Sequence, residues 1–165
     1  MKKRAFLGVL VLAVLGLAAC GSKDSTGPAN QVDELVGTWF SGGSNVAPGL
    51  AAVGVDSILA TFNEDQTYTV INYAGGSQAT LTGTWQAGTQ AEGQIRSITV
   101  DQIQPSALTA EGIFQVTGTA MTYEVIQVEP ALQGVTAPTV SGGFGSTTIG
   151  GVANSNYIQH YVKRS

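Results

Sequence analysis

Apolar and polar residues alternate at period two through much of the chain after residue 33. The pattern is clearest over 78–87, where Ala79, Leu81, Gly83 and Trp85 share one face and Gln78, Thr80, Thr82, Thr84 and Gln86 share the other. One dry face and one wet face indicate an antiparallel sheet, because parallel sheets are usually covered on both sides. Runs rich in Thr, Val, Ile and aromatic residues mark seven more strands, at 35–40, 56–63, 67–74, 94–104, 108–117, 121–129 and 157–163. Turn chemistry at Asn63-Glu64-Asp65-Gln66, Gly75-Gly76-Ser77 and Thr117-Gly118-Thr119-Ala120 joins neighbours as hairpins. In this body only "QVDELV", residues 31–36, suits a helical turn. Eight hairpin-linked strands predict an all-β, antiparallel, up-and-down barrel over residues 33–165, since closure leaves no exposed edge.

Strand parity then sorts the connections. With strand one running upward from a closed end, odd-numbered connections lie at the top. The two long ones, 41–55 and 130–156, are the first and the seventh, and strand eight beside strand one makes them neighbours. The second spans 27 residues, beyond the roughly 12–15 usual for a structureless connection. That length marks it as functional, disordered or holding a further hairpin. Val46, Leu50 and Val53 in the first loop, with Phe144 and Ile149 in the second, are candidate ligand-binding residues at the barrel mouth. The competing expectation is that they cap a barrel filled by its own side chains.

Parity also carries the only two tryptophans, Trp39 in "LVGTWF" and Trp85 in "LTGTWQ", to the lower half. Gly37 and Gly83 each precede a tryptophan by two residues and share its face, leaving room beside the indole. The four residues are expected to form the stopper of the closed end. Nothing around them recurs at their 46-residue spacing, so they are not a repeat unit.

The beginning of the chain changes the picture of where this barrel resides. Lys2, Lys3 and Arg4 precede fifteen uncharged, mostly aliphatic residues, Ala5 to Ala19, and then Cys20, the only cysteine. The apolar run is shorter than the about 20 residues a membrane-spanning helix needs, so it reads as an export signal over residues 1–19. Residues 20–32 follow as the cysteine and a Gly-, Ser- and Pro-containing tether, whose eleven residues Gly21 to Gln31 span roughly 18 Å as a random coil. Cleavage before Cys20 leaves 146 residues with four Lys and Arg against eleven Asp and Glu, a net charge of −7. Such a body has no electrostatic attraction for nucleic acid or an anionic bilayer surface, and a single cysteine excludes an intramolecular disulfide framework.

Reactive chemistry finds little support. His160 is the only histidine and lies on the face opposite Tyr157, Gln159 and Tyr161, so no metal-ligand spacing arises. Asp101, Glu111, Glu124 and Glu129 are scattered over strands, and solvated outer positions are the expectation for all four. The stretch "SGGFGSTTIGG" at 141–151 lacks the Lys-Ser/Thr ending of a phosphate loop and sits in an acidic host. No cofactor, metal or catalytic residue is expected, and the chain does not read as an enzyme.

Two resemblances add to this. Leu17-Ala18-Ala19-Cys20-Gly21 resembles the lipobox of bacterial lipoproteins, which implies acylation of Cys20, for instance with palmitate, and anchorage in the cell envelope. Gly21, where an aspartate favours inner-membrane retention in such proteins, leans toward the outer membrane. "DELVGTWF" and "TFNEDQTYTV", followed by Gly83-Thr84-Trp85, resemble small bacterial lipocalin-like (calycin-type) domains. That resemblance implies an eight-stranded barrel whose first-strand tryptophan plugs the closed end, and a small apolar ligand at the mouth. The alternative is a non-enzymatic structural or protein-interaction barrel of inhibitor type, with no partner named by the sequence. In true lipocalins an arginine near the end of the last strand covers the tryptophan, and the only candidates here are Lys163 and Arg164.

Overall fold

The computed structural model describes residues 32–90 and 93–165. The expected signal, Cys20 and the tether up to residue 31 lie outside the described residues. Val32–Ser165 forms one compact unit with its own core, sufficient by that measure to fold by itself.

Seven strands follow one another as a meander: β1 (Gly37–Gly42), β2 (Ser57–Phe62), β3 (Thr67–Ala74), β4 (Ser77–Ala87), β5 (Arg96–Gln104), β6 (Leu108–Thr117) and β7 (Ala120–Glu129). Three short strands, β8 (Val135–Thr136), β9 (Thr148–Ile149) and β10 (Val152–Ala153), form a separate sheet. The last strand, β11 (Gln159–Arg164), lies between β7 and β1 and closes an eight-stranded antiparallel barrel.

Local chemistry explains where strands start and stop. The chain does not extend from residue 35, because the Asp33 carboxylate accepts the Leu35 N–H at 3.0 Å and the Asp33 carbonyl accepts that of Val36 at 2.9 Å. This turn delays β1 to Gly37. Likewise residue 157 belongs to a 3₁₀ turn, Ser155–Tyr157, whose Asn154 side chain accepts the Asn156 N–H. The β2–β3 turn is tightened by Asp65, which accepts both the N–H and the hydroxyl of Thr67, while Gln66 takes a positive φ of 65°.

With β1 drawn upward, the two long connections adjoin at the top. The first holds a 3₁₀ turn, Gly43–Asn45, and α1 (Pro48–Ala52), started by Pro48; α1 packs beside the Ser155–Tyr157 turn.

The second long connection is not structureless. It carries β8 to β10, and its middle folds down over the outside of the wall. Ile113 on β6 and Glu124 on β7 face each other in register on the outer surface, and neither is exposed at all (0%). The Glu124 carboxylate accepts backbone N–H groups from Gly145 at 2.6 Å and Thr147 at 3.1 Å. The expectation of four solvated carboxylates therefore holds for Asp101, Glu111 and Glu129, which are exposed, and fails for Glu124. A loop crossing the wall brings it two donors in place of water.

Candidate functional site

The lower end is sealed. Leu35 and Trp39 are fully buried, and the Trp39 Nε1–H donates to the Leu35 carbonyl at 2.8 Å. Lys163 places its Nζ 5.0 Å from the centre of the Trp39 ring and 3.5 Å from the Glu34 carbonyl. It supplies the cationic cover over the tryptophan, while the Arg164 guanidinium lies 4.3 Å over Phe40. Trp85 donates its Nε1–H to the Thr67 carbonyl at 3.2 Å, level with the lower β2–β3 turn. The glycines before the tryptophans serve other neighbours than the indoles. A Cβ at Gly83 would overlap the Asp101 carbonyl of β5, and one at Gly37, where φ is +135°, would come within 2.7 Å of the Lys163 stem.

Arg96 clasps the incoming chain across this end. It is 4% exposed, donates to Asp33 at 2.6 and 3.0 Å and to the Gly88 carbonyl at 2.7 Å, and stacks 4.8 Å over Phe114. Burial by itself would raise the Asp33 pKa, but hydrogen bonds from Arg96 and the Leu35 N–H, with the Arg96 charge, hold it below the usual carboxylate range. Glu34 lies 3.4 Å from the same guanidinium.

Above the stopper the barrel is hollow. A cavity of about 330 Å³ opens at the upper end. On β6 the wall of this cavity narrows to a methyl group at Ala110, whereas the aromatic residues beneath interlock. Phe62 lies 5.9 Å from Trp85, 6.4 Å from Tyr68 and 6.3 Å from Tyr123, and Tyr123 meets Tyr161 edge-on at 6.1 Å. These rings make an aromatic floor. No Asp, Glu, Lys, Arg or His is among the residues lining the cavity.

The polar groups of the wall are neutral. Four are amides: Asn72, Gln102, Gln127 and Gln159. Burial, reinforced by the charge of Asp101, pushes the Tyr68 phenol up to about 12. Burial does the same more strongly to Tyr123, with Tyr161 and Tyr68 as neighbours, and to Tyr161 itself. All three stay protonated through neutral pH, so the chamber remains uncharged.

Of the five residues expected at the mouth, Leu50 stands on the cavity wall. Val46 is buried under the first loop without lining the cavity, and Val53 is 76% exposed. Phe144 and Ile149 belong to the connection that packs outside the wall and do not line the chamber. The lining residues that loop reasoning missed lie on the strands, and inward parity is the signal that finds them: Tyr161 and Gln159 share a face, as do Tyr68, Val70 and Asn72. Tyr157 joins them from the 3₁₀ turn and Ala47 from the first loop.

No family model, curated protein or solved structure matches this chain. Among the described residues no three His, Cys, Asp or Glu side chains gather as metal ligands, and no helix is long and apolar enough to cross a membrane. His160 is exposed on the outer face of β11. What the chamber offers chemically is apolar contact, aromatic edges and neutral hydrogen-bonding groups.

Proposed function

We propose that the protein is a lipid-anchored, lipocalin-like carrier of the cell envelope that holds a small, uncharged, largely apolar molecule inside the barrel. The observation that carries this reading is the open, uncharged cavity of about 330 Å³, within the roughly 300–1,000 Å³ range of small-molecule sites. A charged guest would leave water without gaining a counter-charge, which is costly; an apolar guest gains about 25 cal/mol for each Å² it buries. The cavity is tested by filling it. Ala110→Trp, on the cavity wall, is expected to abolish retention of small molecules by the Val32–Ser165 unit, read by native mass spectrometry and organic extraction. Retention equal to wild type in a folded Ala110→Trp protein refutes the carrier reading.

The anchor is supported by the charged start, the short apolar run and the small residues before Cys20. Two or three acyl chains there, each methylene contributing about 0.8 kcal/mol, hold a protein at a membrane without protein–lipid contact. Gly21 in place of an aspartate supports the outer membrane as the site of anchorage. Cys20→Ala is expected to move the protein from the membrane to the soluble fraction and to remove the acyl mass from its N-terminus. Unchanged membrane partitioning of that variant overturns the anchor.

A second reading, a protein-interaction barrel, is favoured by one observation. The β9–β10 hairpin exposes Ile149 and Val152 (39% and 70%) on either side of Gly150-Gly151, an apolar tip that the barrel itself does not use. In this reading the partner is a protein, and Val152→Asp, which leaves the cavity untouched, abolishes co-purification of that partner; co-purification equal to wild type refutes it.

A further inference from the structure

The four amides of the chamber wall are not equivalent. Gln159 accepts the Ala47 N–H at 2.7 Å and donates to the Ser41 hydroxyl, Gln102 donates to the Ser106 carbonyl at 2.8 Å, and Gln127 donates to the Pro130 carbonyl at 2.7 Å. Each of these three is tied to backbone at or near the rim, which fixes its rotamer. Asn72 differs: its Oδ1 is buried and meets no donor. Its register neighbours, Ile58 on β2 and Ala79 on β4, carry no side-chain donor.

A buried carbonyl oxygen without a donor has lost the hydrogen bonds it makes in water, and Asn72 is among the residues lining a cavity large enough to admit a guest. Asn72 stands four residues above Tyr68 on the same face of β3, about 13 Å at 3.3 Å per residue. The chamber thus has aromatic edges at its base and, toward its mouth, a wall amide whose unanswered acceptor lies just beneath the surface, with no charge between them.

From this arrangement we infer that the guest is a neutral molecule with a flat apolar body that rests on the Phe62–Tyr123 floor and a hydroxyl or N–H donor toward which the Asn72 amide turns its Oδ1. This rests on the carrier reading above and narrows it: unsubstituted hydrocarbons leave the acceptor unserved, and carboxylates such as fatty acids bring a charge that nothing in the wall neutralises and an oxygen that repels the Asn72 carbonyl.

The test uses three ligands of one shape, para-phenylphenol, biphenyl and para-phenylbenzoate, titrated calorimetrically at neutral pH into the Val32–Ser165 unit and into Asn72→Leu. One hydrogen bond to an otherwise unserved buried acceptor makes the phenol bind wild type about tenfold more tightly than biphenyl, since 1.4 kcal/mol is tenfold. The benzoate is expected to bind most weakly. In Asn72→Leu the advantage of the phenol over biphenyl is expected to vanish, with biphenyl binding at least as tightly as in wild type. The wild-type ranking stands as a test even if the variant fails to fold. Equal binding of phenol and biphenyl to wild type, strongest binding of the benzoate, or an undiminished phenol advantage in Asn72→Leu overturns the donor inference while leaving the carrier reading intact. Failure of all three ligands to bind wild type overturns both.

Discussion

Trp39→Ala is expected to lower the free energy of unfolding by about 4 kcal/mol, the upper part of the range for truncating a large buried side chain. The residue is fully buried among Leu35, Phe62 and the other large side chains of the core. Its removal empties the lower end of the barrel, strips a donor from the Leu35 carbonyl and leaves the Lys163 ammonium without the ring beneath it. Phenylalanine at the same position retains ring packing but not the hydrogen bond, so Trp39→Phe should recover more than half of the loss. Urea unfolding followed by circular dichroism measures both, with an unchanged slope showing that the denatured states are comparable. A loss below about 1 kcal/mol for the alanine variant rules out the stopper role.

Glu124→Ala should cost about 3 kcal/mol, by a different route. Hydrogen bonds to a charged acceptor are each worth roughly 1.5–3 kcal/mol when buried, and this carboxylate receives two, from Gly145 and Thr147. Without it the middle of the long connection loses its fastening to the barrel wall and Ile113 becomes accessible. The local consequence is the more telling one. Hydrogen exchange at the amides of Gly145 and Thr147 should accelerate at least tenfold, while amides in β3 and β4, on the far side of the ring, slow or hasten only with global stability. Glu124 lies outside the chamber, so guest affinity should stay within twofold of wild type. Unaltered protection at both amides refutes the fastening.

Much of the architecture was legible in the order of residues. Alternation over 78–87 and turn chemistry at 63–66, 75–77 and 117–120 point to a hairpin meander, and eight strands close because closure satisfies the edges. Strand ends were misplaced where a side chain captured the backbone, as Asp33 does before β1 and Asn154 before β11. The long connection misled more deeply. Apolar residues in a loop near a barrel mouth suggest a lid, and periodicity carries no sign of which way a loop folds. Here Glu124, one strand earlier and on the outer face, draws the loop over the wall. That carboxylate looks like any solvated strand residue until two N–H groups arrive from 21 and 23 residues away. The hollow centre depends on the volumes that the inward side chains of all eight strands leave unfilled, a property of the closed ring that no single strand displays.

An even number of strands in a meander returns the chain to the end where it started. Residue 32 enters beneath β1, and β11 finishes beside it, with Thr38 paired to Arg164. Among the described residues, the upper rim is therefore built wholly from internal segments. Both ends of the folded unit, residue 32 and residue 165, thus lie at the pole opposite the opening of the cavity, so a covalent linkage made at either of them leaves that opening clear.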